Sequence, residues 1–465
     1  MGVAWQAVSR RARAHPAGVI WALAVVGSLP GLWHLPPSFS EDPDMVHQAP
    51  TLMAYEVRDL PKLFTETAPW GDGSYRPIVF LVWWLEGRAW GYDAGGWGFT
   101  SWLMGVVSAA LLGLLTLRIS GRAGAATAAT ALVALNQSVA SPFASGWPPQ
   151  FPGLLVLLTL VWLVLLPRNP AAGAVLGRVV SGLGLLWVVG NIELAEQTWV
   201  PSYVGGRVGL QGAMLHVLAA YVAFGYADTG RLRLLACFWV IWAAMALSYE
   251  QPLCLPLAAA PAFLIAVPKR HWRRGVPLLL GAAVLTAGYL LVRWHFLEQQ
   301  WLASYQVSQW RSGTVWLHDL LEYAFPPACL VRAAGVYVSP IALLVLSNPF
   351  WFHIGCAIAW FWAYAGPLRR DRSVQVWYFW RVIAYLPLML FHAHSHYSYL
   401  PQLATAATHG LLLHGWMTSV RRAAPSAMVR EDVDRVEAAG GRAVEPERIS
   451  ADDAAHSPAA PDPGR

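Results

Sequence analysis

Three closely spaced carboxylates are the strongest candidates for chemistry in this sequence. Glu41, Asp42 and Asp44 lie within four residues, and Pro43 restricts the turn between them. Repulsion between like charges, together with a nearby apolar segment, raises the pKa of a carboxyl group towards that of a general base. The same three acids also suit an ordinary solvated turn, so their spacing alone leaves both interpretations open.

Arginines near the ends of apolar segments are candidates for binding a phosphate. The planar guanidinium donates two parallel hydrogen bonds to a phosphate group. We favour Arg293 and Arg332 over Arg76 and Arg311, although each of them could instead extend to lipid headgroups. Glu250 lies in a short connection between two apolar segments, where it could orient a substrate or form an ion pair with Arg293.

Three alternate histidines, His392, His394 and His396, follow another apolar segment. All three share one face of an extended chain, whereas only His392 and His396 share one face of a helix. Contact with a phosphate through His396, binding of a metal ion, and ordinary hydrogen bonding all remain open. The spacing matches no established ligand pattern, so we assign no residue as a metal ligand.

The overall composition is that of a membrane protein. The chain has 465 residues, of which 56% are hydrophobic and 12% are charged, and it contains 26 Trp. Soluble domains carry about 25% charged residues. This composition excludes a soluble enzyme, a disordered chain and a disulfide-rich scaffold. Nucleic acid is not an expected partner, because no block of lysine or arginine lies outside the connections between apolar segments.

The apolar segments predict an all-α polytopic membrane protein with about 12 transmembrane helices, within a range of 11–13. Roughly 20 apolar residues are needed for each crossing. Clusters of arginine mark the cytoplasmic side and place both termini there. The predicted spans are 17–35, 97–117, 123–143, 151–167, 173–190, 207–226, 231–249, 252–268, 275–293, 346–366, 374–391 and 400–420.

Two long loops are predicted on the outer side of the membrane. The first, residues 36–96, holds nine acidic residues and two candidate interfacial helices, Thr51–Leu60 and the Trp-rich Ile78–Trp90. The second covers residues 294–332. Residues 1–420 therefore form the transmembrane domain. Residues 421–465 lack apolar periodicity, so we expect a disordered cytoplasmic tail.

Several short motifs, in their order along the chain, resemble the C-type (GT-C) glycosyltransferase superfamily. Besides the acidic motif after the first span, they are YRPI at 75–78, SYEQP at 248–252, YLLVR at 289–293 and YSYLP at 397–401. The likeness is greatest to the protein O-mannosyltransferase-like branch that includes the TMTC type. Each motif is short, and the resemblance depends on their shared order over residues 36–420.

The resemblance implies an inverting transferase that uses a polyprenyl-phosphate-linked sugar on the outer face of the membrane. The acceptor would be a protein, a lipid or a polysaccharide. Asp42 or Asp44 would be the general base, with Glu41 beside them. The implied substrate-binding residues are Arg76, Glu250, Arg293, Arg332, His396, Tyr397 and Tyr399. No cofactor is certain, and a divalent cation, Mg²⁺ or Mn²⁺, is an option because some members of the superfamily need one.

The chain also departs from the pattern of that branch. Glu41-Asp42 stands where paired aspartates are usual, His396 stands where an arginine is usual, and residues 136–142 replace a histidine-containing stretch. A catalytically diverged scaffold is therefore one alternative. A lipid-handling or transport protein is another, although transporters usually place carboxylates deep in the bilayer. Here the candidates within spans are instead Arg178, His216, His353 and Arg381.

Overall fold

The computed structural model describes residues 15–34, 49–67, 75–136, 151–191, 207–248, 265–296, 358, 361–390 and 399–439. Within these ranges all regular structure is helical and no strand occurs, as the sequence predicts. The chain divides into two compact units, Met1–Trp416 and Met417–Arg465. The predicted spans 252–268 and 346–366 lie mostly outside the described residues.

The helices coincide closely with the remaining predicted spans. A helix begins at Phe151 and ends at Arg168 where a span over 151–167 is predicted, and another covers Trp272–Phe296 where 275–293 is predicted. The helices are α1 (Pro16–Ser28), α2 (Lys62–Thr65), α3 (Pro77–Trp90), α4 (Ala94–Ser120), α5 (Ala123–Asn136), α6 (Phe151–Arg168), α7 (Pro170–Asn191), α8 (Arg207–Thr229), α9 (Leu232–Ala246), α10 (Trp272–Phe296), α11 (Gly366–Arg370), α12 (Arg372–Leu390) and α13 (Tyr399–Ala439).

Three of the described helices are long and apolar enough to cross a membrane: Ala94–Ser120, Val208–Thr229 and Trp272–Phe296. Three shorter helices, within Pro16–Leu32, Ala123–Leu135 and Leu232–Ala246, are also apolar. This is the character of a helical membrane protein, in which all backbone groups are hydrogen-bonded within each helix.

Local signals explain where the central helices begin and end. Asp93 caps the start of α4, because its carboxylate accepts hydrogen bonds from the backbone N–H groups of Gly95 and Gly96 at 3.0 and 3.2 Å. Gly121 after α4 and Gly230 after α8 have φ of 67° and 69°. Only glycine adopts this left-handed conformation without strain, and it lets the chain turn directly into α5 and α9.

Helices α1, α4 and α5 pack closely around small residues. An ideal Cβ built on Gly113 of α4 would lie 2.0 Å from Thr130 Oγ1 and 2.9 Å from Ile20 Cγ2. Likewise a Cβ on Gly27 would lie 2.9 Å from Ala134 Cβ. Such close approach of helix backbones is typical of membrane helix pairs, where small residues increase van der Waals contact.

Ion pairs join several helix ends at one end of the bundle, which we call the basic end. Arg118 of α4 donates two hydrogen bonds to Asp228 of α8, at 3.1 and 2.9 Å. Arg274 of α10 donates to the carbonyl of the same aspartate at 2.8 Å. Arg122, just before α5, pairs with Asp371, just before α12. The C-terminal ends of α4 and α8 therefore lie beside the starts of α5, α10 and α12.

The predicted first outer loop, residues 36–96, differs from its prediction in the residues that the structure describes. The expected helix Thr51–Leu60 is divided: residues 49–53 are helical, a 3₁₀ turn covers Val57–Asp59, and α2 follows. The break occurs at Glu56, which has an extended backbone and whose N–H donates to the Asp59 carboxylate at 3.0 Å. This reciprocal capping starts a new turn at that point.

The predicted helix Ile78–Trp90 is confirmed as α3, but two of its tryptophans are not exposed to lipid headgroups. Trp83 and Trp84 are 3% and 8% exposed. Trp83 packs in an apolar cluster with Leu52, Leu63 and Trp97. The Trp83 ring therefore packs α3 against the rest of the loop and against α4, because apolar side chains of both are available to cover it.

The last helix, α13, continues to Ala439, beyond residue 421, where the sequence predicts an unstructured tail. Extending an existing helix by one residue costs much less than nucleating a new one. Alanine, arginine and glutamate, which favour helix, are frequent over 421–439. Residues 440–465 lie outside the described part, so the expectation of disorder there stays a prediction.

Candidate functional site

Three segments that are far apart in the sequence meet in one buried aromatic cluster. Tyr75 before α3, Ala246 at the end of α9 and Tyr289 near the end of α10 form its centre. The Tyr75 ring stacks on Phe296, with 5.3 Å between ring centroids, and lies 6.2 Å from the Tyr289 ring. We call this the Tyr75–Tyr289 cluster. It joins the YRPI and YLLVR motifs, which the sequence shows as separate stretches.

Hydrogen bonds fix the start of α3 against this cluster. The Tyr75 hydroxyl donates to the carbonyl of Phe64 at 2.9 Å, and the backbone N–H of Ile78 donates to the carbonyl of Leu247 at 3.2 Å. Burial raises the pKa of the Tyr75 phenol, so this group stays protonated and remains a donor. The segment that precedes α3 is thereby attached at a defined position to the ends of α9 and α10.

Arg293 is the most buried of the predicted phosphate-binding residues that the structure describes, with 3% of its surface exposed. Its Nη1 donates to the Tyr289 hydroxyl at 3.1 Å, and that hydroxyl donates to the carbonyl of Tyr75 at 3.4 Å. Arg76 follows directly and lies between the buried Tyr75 and Pro77. Arg293 is therefore linked through Tyr289 to the backbone of the residue directly before Arg76.

The start of the SYEQP motif also lies at this end of the bundle. Ser248, which is fully buried, accepts a hydrogen bond from Gln211 Nε2 at 3.2 Å and donates to the carbonyl of Ala244 at 2.7 Å. The sequence alone did not identify Gln211. The only sign of its role in the sequence is a polar amide side chain near the start of an apolar helix. The bond joins α8 to the first residue of the motif, whose other residues lie outside the described part of the chain.

The C-terminal half of α3 is held by hydrogen bonds of its own. The carbonyl of Tyr55 accepts hydrogen bonds from Trp84 Nε1 at 2.9 Å and from Arg88 Nη2 at 2.6 Å. On the exposed side of the same loop, Lys62 Nζ lies 2.9 Å from the Asp59 carboxylate. The hydrogen bond from this ammonium group holds the pKa of Asp59 below its usual value. Asp59 is therefore ionised and engaged in loop structure.

Tyr399 opens α13 and is 4% exposed, and it packs in the main apolar core rather than in the Tyr75–Tyr289 cluster. Several other predicted site residues lie outside the described residues, and their assignments stay predictions. These are Glu41, Asp42, Asp44, Glu250, Arg332, His396 and Tyr397. Within the described ranges no group of three His, Cys, Asp or Glu side chains is arranged to hold a metal ion.

A second polar group lies near the middle of the helices. The Tyr364 hydroxyl and His409 Nε2 are 2.6 Å apart, and both residues are fully buried. Arg381 of α12 is 1% exposed, and the ring of His216 of α8 meets Trp380 edge to face at 4.9 Å between centroids. The sequence identified His216 and Arg381 as deep polar residues, but it did not identify the Tyr364–His409 pair.

Comparison with known proteins adds no assignment. No protein-family model matches the chain, and neither a curated protein nor a solved structure matches it. The function is therefore argued from the contacts of the candidate site and from the sequence motifs.

Proposed function

We propose that this chain is an integral membrane glycosyltransferase of the GT-C type. It moves a sugar from a polyprenyl-phosphate-linked donor to a protein, lipid or polysaccharide acceptor at the extracytoplasmic face. One observation carries most of this proposal: the stretches 75–78 and 289–293, each noted for its resemblance to the superfamily, contact each other at one end of the helices, and the residue directly before Ser248 accepts a hydrogen bond from Ile78 there.

The orientation follows from the distribution of arginine. The Tyr75–Tyr289 cluster lies at the end of α10 opposite to Arg274, which belongs to the basic end. Basic residues favour the cytoplasmic side of a membrane. The proposed protein therefore has about twelve spans, both termini in the cytoplasm and its candidate site at the outer boundary, where the phosphate of a polyprenyl donor lies.

The proposed reaction is a single displacement with inversion. An acceptor hydroxyl attacks the anomeric carbon while the bond from that carbon to the phosphate oxygen breaks. The hydroxyl proton passes to the carboxylate of Asp42 or Asp44, next to Glu41, and the leaving group departs as polyprenyl phosphate. Positioning of the two reactants and stabilisation of the leaving phosphate supply most of the rate enhancement in such a site.

The residues near the candidate site have distinct proposed roles. Arg293, which is held by Tyr289, donates to the departing phosphate, and Arg76 and Arg332 neutralise the remaining charge. Buried arginines serve this purpose well because their guanidinium stays charged. The other proposed contacts to donor or acceptor are Glu250, His396, Tyr397 and Tyr399. No cofactor is assigned, and a divalent cation, Mg²⁺ or Mn²⁺, would assist by binding the donor phosphate where one is used.

The deep polar group favours one alternative, a transport or lipid-handling function. Ionisable side chains such as Arg381 and His216 are costly inside a bilayer and are commonly kept for a function. A catalytically diverged GT-C-like scaffold is the other alternative. Both predict that carboxylates in the first outer loop can be neutralised without loss of a glycosylated product.

Mass spectrometry of glycans and lipids tests the proposed function directly. A strain that lacks the chain is complemented with the wild type, with Asp42→Asn, with Asp44→Asn, or with Glu66→Gln as a matched control. Glu66 is an exposed acid of the same loop. We expect the wild type and Glu66→Gln to restore one glycosylated product, and at least one of the aspartate variants to leave its acceptor unmodified while the protein reaches the membrane normally.

Two results would contradict the proposal. One is a full set of glycans in cells that carry both aspartate substitutions together. The other is an unchanged set of glycans and lipid-linked sugars in the strain that lacks the chain.

A further inference from the structure

Four exposed cationic side chains lie at the basic end, in or just before the first turns of α9 and α10. They are Arg231, Arg233, Lys269 and Arg273, which we call the α9–α10 basic patch. Within the described part of the chain, no side chain of this patch forms an ion pair or a hydrogen bond with another residue. Their charge is therefore available to a ligand.

Neighbouring cations, in contrast, already have defined structural roles. Arg118 pairs with the Asp228 carboxylate, and Arg274 Nη1 donates to the carbonyls of Ala227 and Asp228 at 2.7 and 2.8 Å. The guanidinium of Arg274 also lies 3.3 Å from the position of a Cβ on Gly230. Arg274 therefore holds the start of α10 against the connection between α8 and α9. The carboxylate of Asp228 is thus already neutralised, and the patch keeps a net positive charge.

An exposed apolar strip begins beside the patch. On α9 it includes Leu232 and Val240, which are 74% and 70% exposed; on α10 it includes Val276, Leu280 and Val284, at 62%, 63% and 62%. The α10 part alone extends about 12 Å, at about 1.5 Å per residue. Leu232 is the first residue of α9 and lies between Arg231 and Arg233 in the sequence, so the apolar strip begins next to the charges.

The strip is exposed because α9 and α10 are already packed against each other along their other faces. Trp239 Nε1 donates to the carbonyl of Pro277 at 3.3 Å. Gly281 leaves the space that the Trp239 ring needs, because a Cβ there would lie 2.0 Å from its Nε1. The contact between the helices is therefore filled, and the apolar side chains of the strip face outwards.

We propose that the α9–α10 basic patch binds the headgroup phosphate of an acidic phospholipid whose acyl chains lie along the apolar strip. Basic residues at the cytoplasmic ends of membrane helices attract anionic lipids, and arginine binds phosphate through two hydrogen bonds. A soluble polyanion would use the charges but not the strip. A neutral lipid would use the strip but not the charges.

The test measures lipid binding to the purified full chain in nanodiscs of phosphatidylcholine. Phosphatidylglycerol with a fluorescent acyl chain is titrated in, and energy transfer from the tryptophans of the protein reports its binding. The patch variant is R231Q/R233Q/R273Q. The matched control R369Q/R370Q/R372Q removes the same charge from three exposed arginines beside α11 and α12. A third variant, R231K/R233K/R273K, keeps the patch charged.

We expect the patch variant to bind phosphatidylglycerol about 100-fold more weakly. Each of the three arginines strengthens binding to an anionic lipid about fivefold, and the three factors multiply. The R369Q/R370Q/R372Q control should change less than about threefold and the lysine variant less than about tenfold. Labelled phosphatidylcholine should bind equally to all of them, and inorganic phosphate should not compete.

Three results would overturn the proposal. Equal losses in the patch variant and the R369Q/R370Q/R372Q control would indicate general surface charge rather than a site. Equal losses in the glutamine and lysine variants would indicate damage to the fold. Competition by inorganic phosphate at concentrations that leave the nanodiscs intact would show that the apolar strip contributes nothing.

Discussion

Tyr289→Phe is the most direct test of how Arg293 is held. The substitution removes one oxygen atom and leaves the aromatic ring, and thus the stacking within the Tyr75–Tyr289 cluster, in place. The lost hydroxyl accepts from Arg293 Nη1 at 3.1 Å and donates to the carbonyl of Tyr75 at 3.4 Å. The other arginine contacts and the buried apolar area stay nearly the same.

The magnitude follows from the two bonds. A hydrogen bond that involves a charged group contributes about 1.5–3 kcal/mol. The bond to the Tyr75 carbonyl is longer than the usual range of about 2.5–3.0 Å for O–H···O, so it adds little. Arg293 is 3% exposed, so water does not readily replace the lost acceptor. We therefore expect Tyr289→Phe to lower the free energy of unfolding by about 2 kcal/mol, which is roughly 30-fold in the unfolding equilibrium.

The assay is reversible denaturant unfolding of the full chain in a bilayer mimic, combined with a double-mutant cycle. The cycle pairs Tyr289→Phe with Arg293→Met and should yield a coupling energy of about 1.5–2 kcal/mol. Tyr92→Phe is the matched control, since Tyr92 is 65% exposed. Its change should stay within about 0.5 kcal/mol.

Two outcomes would refute this reasoning. If Tyr289→Phe is no more destabilising than Tyr92→Phe, the phenol does not hold the guanidinium. If the cycle shows no coupling while both single variants are destabilised, Tyr289 and Arg293 act independently, and the argument for a preformed phosphate-binding arginine fails.

Two further predictions concern packing and pH. Gly113→Ala should destabilise the chain by about 1–3 kcal/mol, because the added methyl group overpacks against Thr130 and Ile20. Gly18→Ala should be neutral or stabilising by up to about 1 kcal/mol, because no atom lies within 4 Å of the added methyl group. Denaturant unfolding measures both changes. Since burial raises the pKa of Tyr75 in the folded chain, its stabilising contribution is complete below the unfolded tyrosine value of about 10 and falls as pH rises above it. Melting temperatures between about pH 8 and 11 should fall more for the wild type than for Tyr75→Phe, and parallel curves would contradict this.

The sequence by itself located most of the described helices. Apolar runs separated by arginine-containing turns gave boundaries within a few residues for helices such as α6 and α10. These features are local: hydropathy over about 20 residues, a capping aspartate such as Asp93, and a glycine such as Gly121 at a helix end each act within one or two turns. The order of the short motifs also directed attention to Tyr75 and Arg293 before any contact was known.

The tertiary structure alone decided which of these features meet. Tyr75 and Tyr289 are 214 residues apart, and nothing in either motif specifies the other as its neighbour. The same limit explains the burial of Trp83 and the unexpected Tyr364–His409 pair. In a membrane protein a side chain that faces lipid and one that faces a neighbouring helix are equally apolar. Hydropathy therefore determines where the helices lie along the chain, and only the packing of distant helices determines which faces are buried and which polar groups come together.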